Sequence, residues 1–72
     1  MTATTEVFKT NVSSKAAAAR VLKVLFDYYP CCKINFDLSD CDNILRIEGE
    51  DFETTTVIAI VEETGFCCSV LE

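Results

Sequence analysis

Between Phe8 and Leu25, in the stretch FKTNVSSKAAAARVLKVL, the spacing of apolar residues changes from that of a strand to that of a helix. Phe8, Thr10 and Val12 alternate with Lys9 and Asn11, the period of a strand with one covered face. Ser13 and Ser14 then supply hydroxyls able to accept from the free N–H groups of a first helical turn. Behind them Ala17, Val21, Val24, Leu25 and Tyr28 recur at helical spacing, and the run Ala16 to Ala19 is strongly helix-forming. A one-faced strand that runs straight into a one-striped helix must bury both surfaces together, as a helix layered on a sheet. The expected elements are a strand over Glu6 to Val12 and a helix over Ser14 to Tyr28. Pro30 stops the helix, because the residue before a proline is driven out of the helical region.

The rest of the chain repeats that logic. Ile34, Phe36 and Leu38 alternate with Lys33, Asn35 and Asp37, giving a second strand over Lys33 to Leu38. Ser39 to Asn43, SDCDN, is a turn of residues that bond their own backbone. A third strand covers Ile44 to Glu48, with Leu45 and Ile47 inward, and Gly49 closes it. The next segment is contested. Thr54, Thr55, Thr56, Val57, Ile58 and Ile60 are β-branched and favour a strand by propensity. Yet Val57, Ile60, Val61 and Thr64 fall at i, i+3, i+4 and i+7, with Glu53, Glu62 and Glu63 on the other side. The periodicity predicts a helix, capped by Asp51 or Glu53 and ended by Gly65. Phe66 to Leu71 forms the last strand, with Phe66, Cys68 and Val70 inward and Cys67 outward. Residues 1–4 are a frayed polar start.

The order β-α-β-β-α-β over a single domain, residues 1–72, specifies an α+β, ferredoxin-like architecture: a four-stranded antiparallel sheet with two helices on one face. Right-handed crossovers put strands one and three at its centre. The first strand–helix junction, the Ser39–Asn43 turn and the corner before the last strand then share one end of the sheet. Cys31 and Cys32 lie at the other.

Charge and residue types exclude several functions. Six basic against twelve acidic residues give a net charge of −6. That balance opposes nucleic acid, whose affinity comes from neutralising phosphates, and anionic membrane surfaces. No apolar run approaches the roughly 20 residues of a membrane helix, and MTATTEV lacks the regions of a secretion signal, so a cytoplasmic protein without membrane insertion is expected. The five cysteines, Cys31, Cys32, Cys41, Cys67 and Cys68, are an odd number that cannot all pair within one chain, and they read as reduced thiols. With no histidine there is no Ser-His or Cys-His pair and no imidazole for zinc. Asp37, Asp40, Asp42, Glu48, Glu50 and Asp51 are scattered over turns and strand exteriors, a solvated acidic surface. No enzyme is expected.

From about Phe8 to Leu71 the chain resembles the heavy-metal-associated domains, the small copper-chaperone and metal-ATPase modules. FKTNV resembles the strand leading into that family's metal loop, DYYPCCKINFDL its helix end and second strand, LRIEG its third strand, and FETTTVIAIVEETGF its second helix. In this alignment Val12 takes the place of the loop methionine, and Ser14 and Ala17 take the places of the two CxxC cysteines. The resemblance implies the fold and a loop and contact surface of Val12, Ser13, Ser14, Lys15, Ala17 and Phe66. It also implies a soft-metal site whose two thiolates are absent here. Soft ions select sulfur ligands, and a serine hydroxyl and an alanine methyl do not replace them. The expectation is therefore a degenerate module without a resident cofactor, acting in metal handling through a protein partner or weak self-association. The alternative is a Cu(I) or Zn carrier using Cys41, Cys67 and Cys68. The third reading is an amino-acid-sensing regulatory module of the same fold. Leu22, Phe26 and Ile58 stand where that family usually has charged residues and form a candidate interaction patch, since contiguous exposed apolar surface marks contact sites.

Overall fold

A computed structural model describes residues 3–39, 43–50 and 52–71. Its elements are β1 (Thr4–Thr10), α1 (Lys15–Tyr28), β2 (Lys33–Asp37), β3 (Ile44–Gly49), α2 (Thr54–Glu63) and β4 (Cys68–Val70). The strands form one antiparallel sheet in the order β2-β3-β1-β4, with β1 and β3 central. α1 packs on β2 and α2 on β4, and the helices touch each other. This is the ferredoxin-like α+β fold that the element order specifies. Among the described residues no helix is long and apolar enough to cross a membrane.

β1 is displaced from the span its periodicity gives. It begins at Thr4, which pairs with Gly49, and the ladder to β3 runs on to Lys9 opposite Ile44. Thr4 is thus part of the sheet and not of a frayed start. Asn11 and Val12 leave the ladder because the chain is already turning: the Val12 N–H donates to Thr10 Oγ1 (3.1 Å). Val12 is still fully buried, so its side chain serves the core after its backbone has left the strand.

α1 starts as the sequence requires. Ser14 is its N-cap in extended backbone, and its hydroxyl accepts from the Ala17 N–H at 3.1 Å. The helix ends before Pro30, with the Tyr29 N–H donating to Leu25 O (2.8 Å). The buried stripe is Ala18, Val21 and Leu25; Ala17 and Val24 are half-buried. Tyr28, expected on that stripe, is 58% exposed. It closes the last turn next to the Tyr29–Lys33 segment, past the buried positions, and faces an open cleft there.

α2 is a helix despite its β-branched residues. Val57, Ile60 and Val61 are its buried positions, and this packing outweighs poor propensity. Glu53 is its N-cap by position but makes no side-chain capping bond; Asp51 lies outside the described residues. The far end is a Schellman closure. Gly65 takes φ 99°, its N–H donates to Glu62 O (3.0 Å), and the Phe66 N–H reaches Val61 O (3.4 Å).

β2 stops at Asp37, one residue short of Leu38, because Asp37 Oδ1 accepts from the Ser39 N–H (3.2 Å) and hydroxyl (2.6 Å). β3 extends through Gly49 because Thr4 pairs there. A β-carbon on Gly49 would collide with Cys32 Sγ, so this strand end approaches the Cys31–Cys32 turn as only glycine allows. β4 is shorter than Phe66–Leu71, and Val70, expected inward with Cys68, is 37% exposed. It lies on an edge strand of three residues. The core gathers Phe8, Val12, Val21, Leu25, Leu45, Ile47, Val57 and Val61, all fully buried, with Ala18, Ile34, Ile60 and Cys68 around them.

Candidate functional site

The strand–helix junction is the place where the resemblance would put chemistry, and hydrogen bonds tie it to the start of β3 and to the approach of β4. Thr10 Oγ1 donates to Asn43 O (2.7 Å), which ties the end of β1 to the start of β3. Asn43 takes φ 49°, a left-handed conformation that asparagine tolerates. Asn11 clamps the junction to the approach of β4 twice: its N–H donates to Cys67 O (3.3 Å), and its Oδ1 accepts from the Cys67 N–H (2.8 Å). The sequence reading missed Asn11. An Asn after an alternating strand is the only local signal, and its partner lies 56 positions away.

Of the loop and contact residues, Val12 is buried, Ser13, Ser14 and Lys15 are exposed, and Ala17 and Phe66 are half-buried, Phe66 packing against the core. The loop thus presents a hydroxyl already accepting a helix N–H and a methyl group with no donor atom. This donor set does not fit a soft ion, which demands thiolate or thioether. Among the described residues no group of three or more His, Cys, Asp or Glu is placed to hold a metal ion.

The thiols fall as alternation predicts. Cys67 is exposed, Cys68 is 8% exposed and belongs to the core, and both edge a shallow depression of about 330 Å³ with Lys9, Thr10, Asn11, Glu62 and Ser69. Cys41 lies outside the described residues. Burial, with the Glu62 carboxylate adding to it, pushes the Cys68 thiol from the ordinary 9.0 up to about 12. Cys68 is therefore a neutral core thiol at neutral pH, and metal ligation would require the thiolate. A linkage follows. The folded chain keeps the Cys68 proton where the unfolded chain has lost it, so this contribution to stability is complete below pH 9 and is lost as pH rises towards 12. Urea unfolding across pH 8–11.5 is expected to show a decline that Cys68→Ala reduces. Iodoacetamide should modify Cys67 in the folded chain and Cys68 only after unfolding.

Leu22, Phe26 and Ile58 do not form one exposed patch. Leu22 and Ile58 are half-buried and packed against the core, and only Phe26, at 38%, is exposed. Leu22 and Ile58, singled out because the resembled family usually has charged residues there, are here partly taken up by packing on the core. Compared with known protein families and with curated proteins, the chain matches none.

Proposed function

We propose that the chain is a non-catalytic interaction module: a heavy-metal-associated-like scaffold whose metal loop has become a helix cap, serving metal handling through protein contacts. The observation that carries this reading is the 3.1 Å bond from the Ala17 N–H to Ser14 Oγ. At the two positions where a soft-metal carrier needs thiolates, this chain uses one residue to start a helix and the other to pack its first turn. Histidine is absent from the sequence, so no Ser-His or Cys-His pair can form, which supports a non-catalytic reading. Free thiols at Cys31, Cys67 and Cys68 favour a reducing compartment, and we place the chain in the cytoplasm on that ground.

Mass spectrometry under non-denaturing, anaerobic conditions tests the reading with Cu(I) and with Zn. The chain is expected to retain neither stoichiometrically. One metal per chain, lost on Cys67→Ser or Cys41→Ser, would overturn the proposal and establish the carrier alternative.

A further inference from the structure

The sheet has two edges, and they differ. β4 contributes three residues, too short to template another strand well. β2 contributes five, and among the described residues it pairs with β3 alone, which leaves its other side as a sheet edge. Beside it lies a groove of about 680 Å³ between β2 and α1. Ala18 and Leu22 of α1 line one side, Phe36 of β2 and Leu38 just past its end the other, and Lys15 and Arg46 supply cations. Leu22, Phe36 and Leu38 are only half-buried, so the apolar wall is still open to a further side chain.

Charge separates across the same axis. The chain carries −6 overall. Yet five of its six cations stand on the elements around this groove: Lys15, Arg20 and Lys23 on α1, Lys33 on β2 and Arg46 on β3. The carboxylates of those elements are Asp27, Asp37 and Glu48. Asp37, the one that lines the groove, is engaged by the Ser39 N–H and hydroxyl. α2 has no cation, and Glu53, Glu62 and Glu63 cluster at its ends.

We infer that the β2–α1 groove is a docking site for an extended segment of another protein in which apolar and acidic residues alternate. Strand addition to the β2 edge supplies backbone hydrogen bonds, and alternate apolar side chains enter the groove against Leu22, Phe36 and Leu38. The intervening side chains fall on the sheet face away from the helices, where their carboxylates meet Arg46, and Lys15 at the start of α1 adds attraction from the helix side. A second copy of this chain fits less well, because its matching acidic side carries the short β4 edge. The inference rests on the interaction-module reading and names its partner.

The test uses the whole ¹⁵N-labelled chain and a synthetic heptapeptide alternating glutamate with valine or leucine, against the same peptide with lysine for glutamate. The glutamate peptide is expected to shift the amides of Lys33–Leu38 and Lys15–Leu22. It should bind at least about tenfold more tightly than the lysine peptide at low salt. Lys15→Glu with Arg46→Glu, both at exposed positions, should weaken it by about tenfold with the amide fingerprint otherwise preserved. The inference is overturned by equal binding of the two peptides, by shifts confined to Val12–Ala17 and Cys67, or by no shift at millimolar peptide. Concentration-dependent shifts at β2 without peptide would assign the edge to a second copy instead. Metal retention, measured separately, decides the interaction-module reading whichever way the peptide behaves.

Discussion

Phe8→Ala is expected to leave most of the chain unfolded at room temperature. Phe8 is 0% exposed and sits on central β1, opposite Leu45 of β3 and Val70 of β4. Removing a buried phenylalanine ring costs about 3–5 kcal/mol, because lost transfer energy adds to a cavity that the neighbours fill only partly. A single core in a chain of this length rarely supplies more than about 3–5 kcal/mol in total. The two magnitudes meet, so the folded fraction collapses. Phe8→Leu keeps an apolar side chain of similar bulk, costs about 1.5 kcal/mol or less, and should stay folded with a lower urea midpoint. Far-ultraviolet circular dichroism and urea titration of the three proteins decide the matter. A Phe8→Ala chain within 1 kcal/mol of the original would mean that the helices do not cover this face of the sheet.

That face was legible because strand periodicity is a property of a few adjacent residues. Ile34 and Ile47 stand between charged or polar neighbours, Phe8 and Leu45 are followed by Lys9 and Arg46, and all four are buried. The second helix was legible for a subtler reason. Its threonines and isoleucines argue for a strand, but only the helical period places Val57, Ile60 and Val61 together, and buried area outweighs propensity. Helix ends were legible from Ser14, Pro30 and Gly65, whereas some strand ends were not. β1 starts at Thr4 because Gly49 is opposite, and β2 stops at Asp37 because Ser39 takes its carboxylate. The stop at Asp37 is set by Ser39, two residues on, whereas the partner that sets the start of β1 lies far along the chain and leaves no mark on the local pattern. The alanine run had the same weakness. With Ala16 to Ala19 alike in hydropathy, nothing in the sequence says that Ala18 is the buried one and Ala17 the half-buried one. At the candidate site the serine cap was readable from composition and spacing, and the edge position of β2 from the crossover rule, whereas the Asn11–Cys67 clamp exists only once the strands are assembled.

Ser14→Cys with Ala17→Cys is expected to create a Cu(I) site far tighter than anything the unmodified chain offers. The two positions are one helical turn apart at the start of α1, close enough that the Ser14 hydroxyl already reaches the Ala17 N–H. Thiols placed there sit in the field of the helix N-terminus, beside exposed Lys15, and both influences favour the thiolate that a soft ion selects. The surroundings suit the ion as well. Ala17 is half-buried and packs against the core, which gives the ion an apolar side, while exposed Ser14 keeps a route for exchange. The cost is the serine cap, about 1 kcal/mol. The Asn11 and Thr10 bonds that fix the loop are untouched by the substitutions. A competition against a Cu(I) chelator, run anaerobically on both proteins, reads the difference. Binding that falls as pH is lowered would identify thiolates as the ligands, because protons then compete for the same sulfur atoms. Equal retention by the unmodified chain would mean that its own cysteines already assemble a site, and the ranking of interaction module over carrier would reverse.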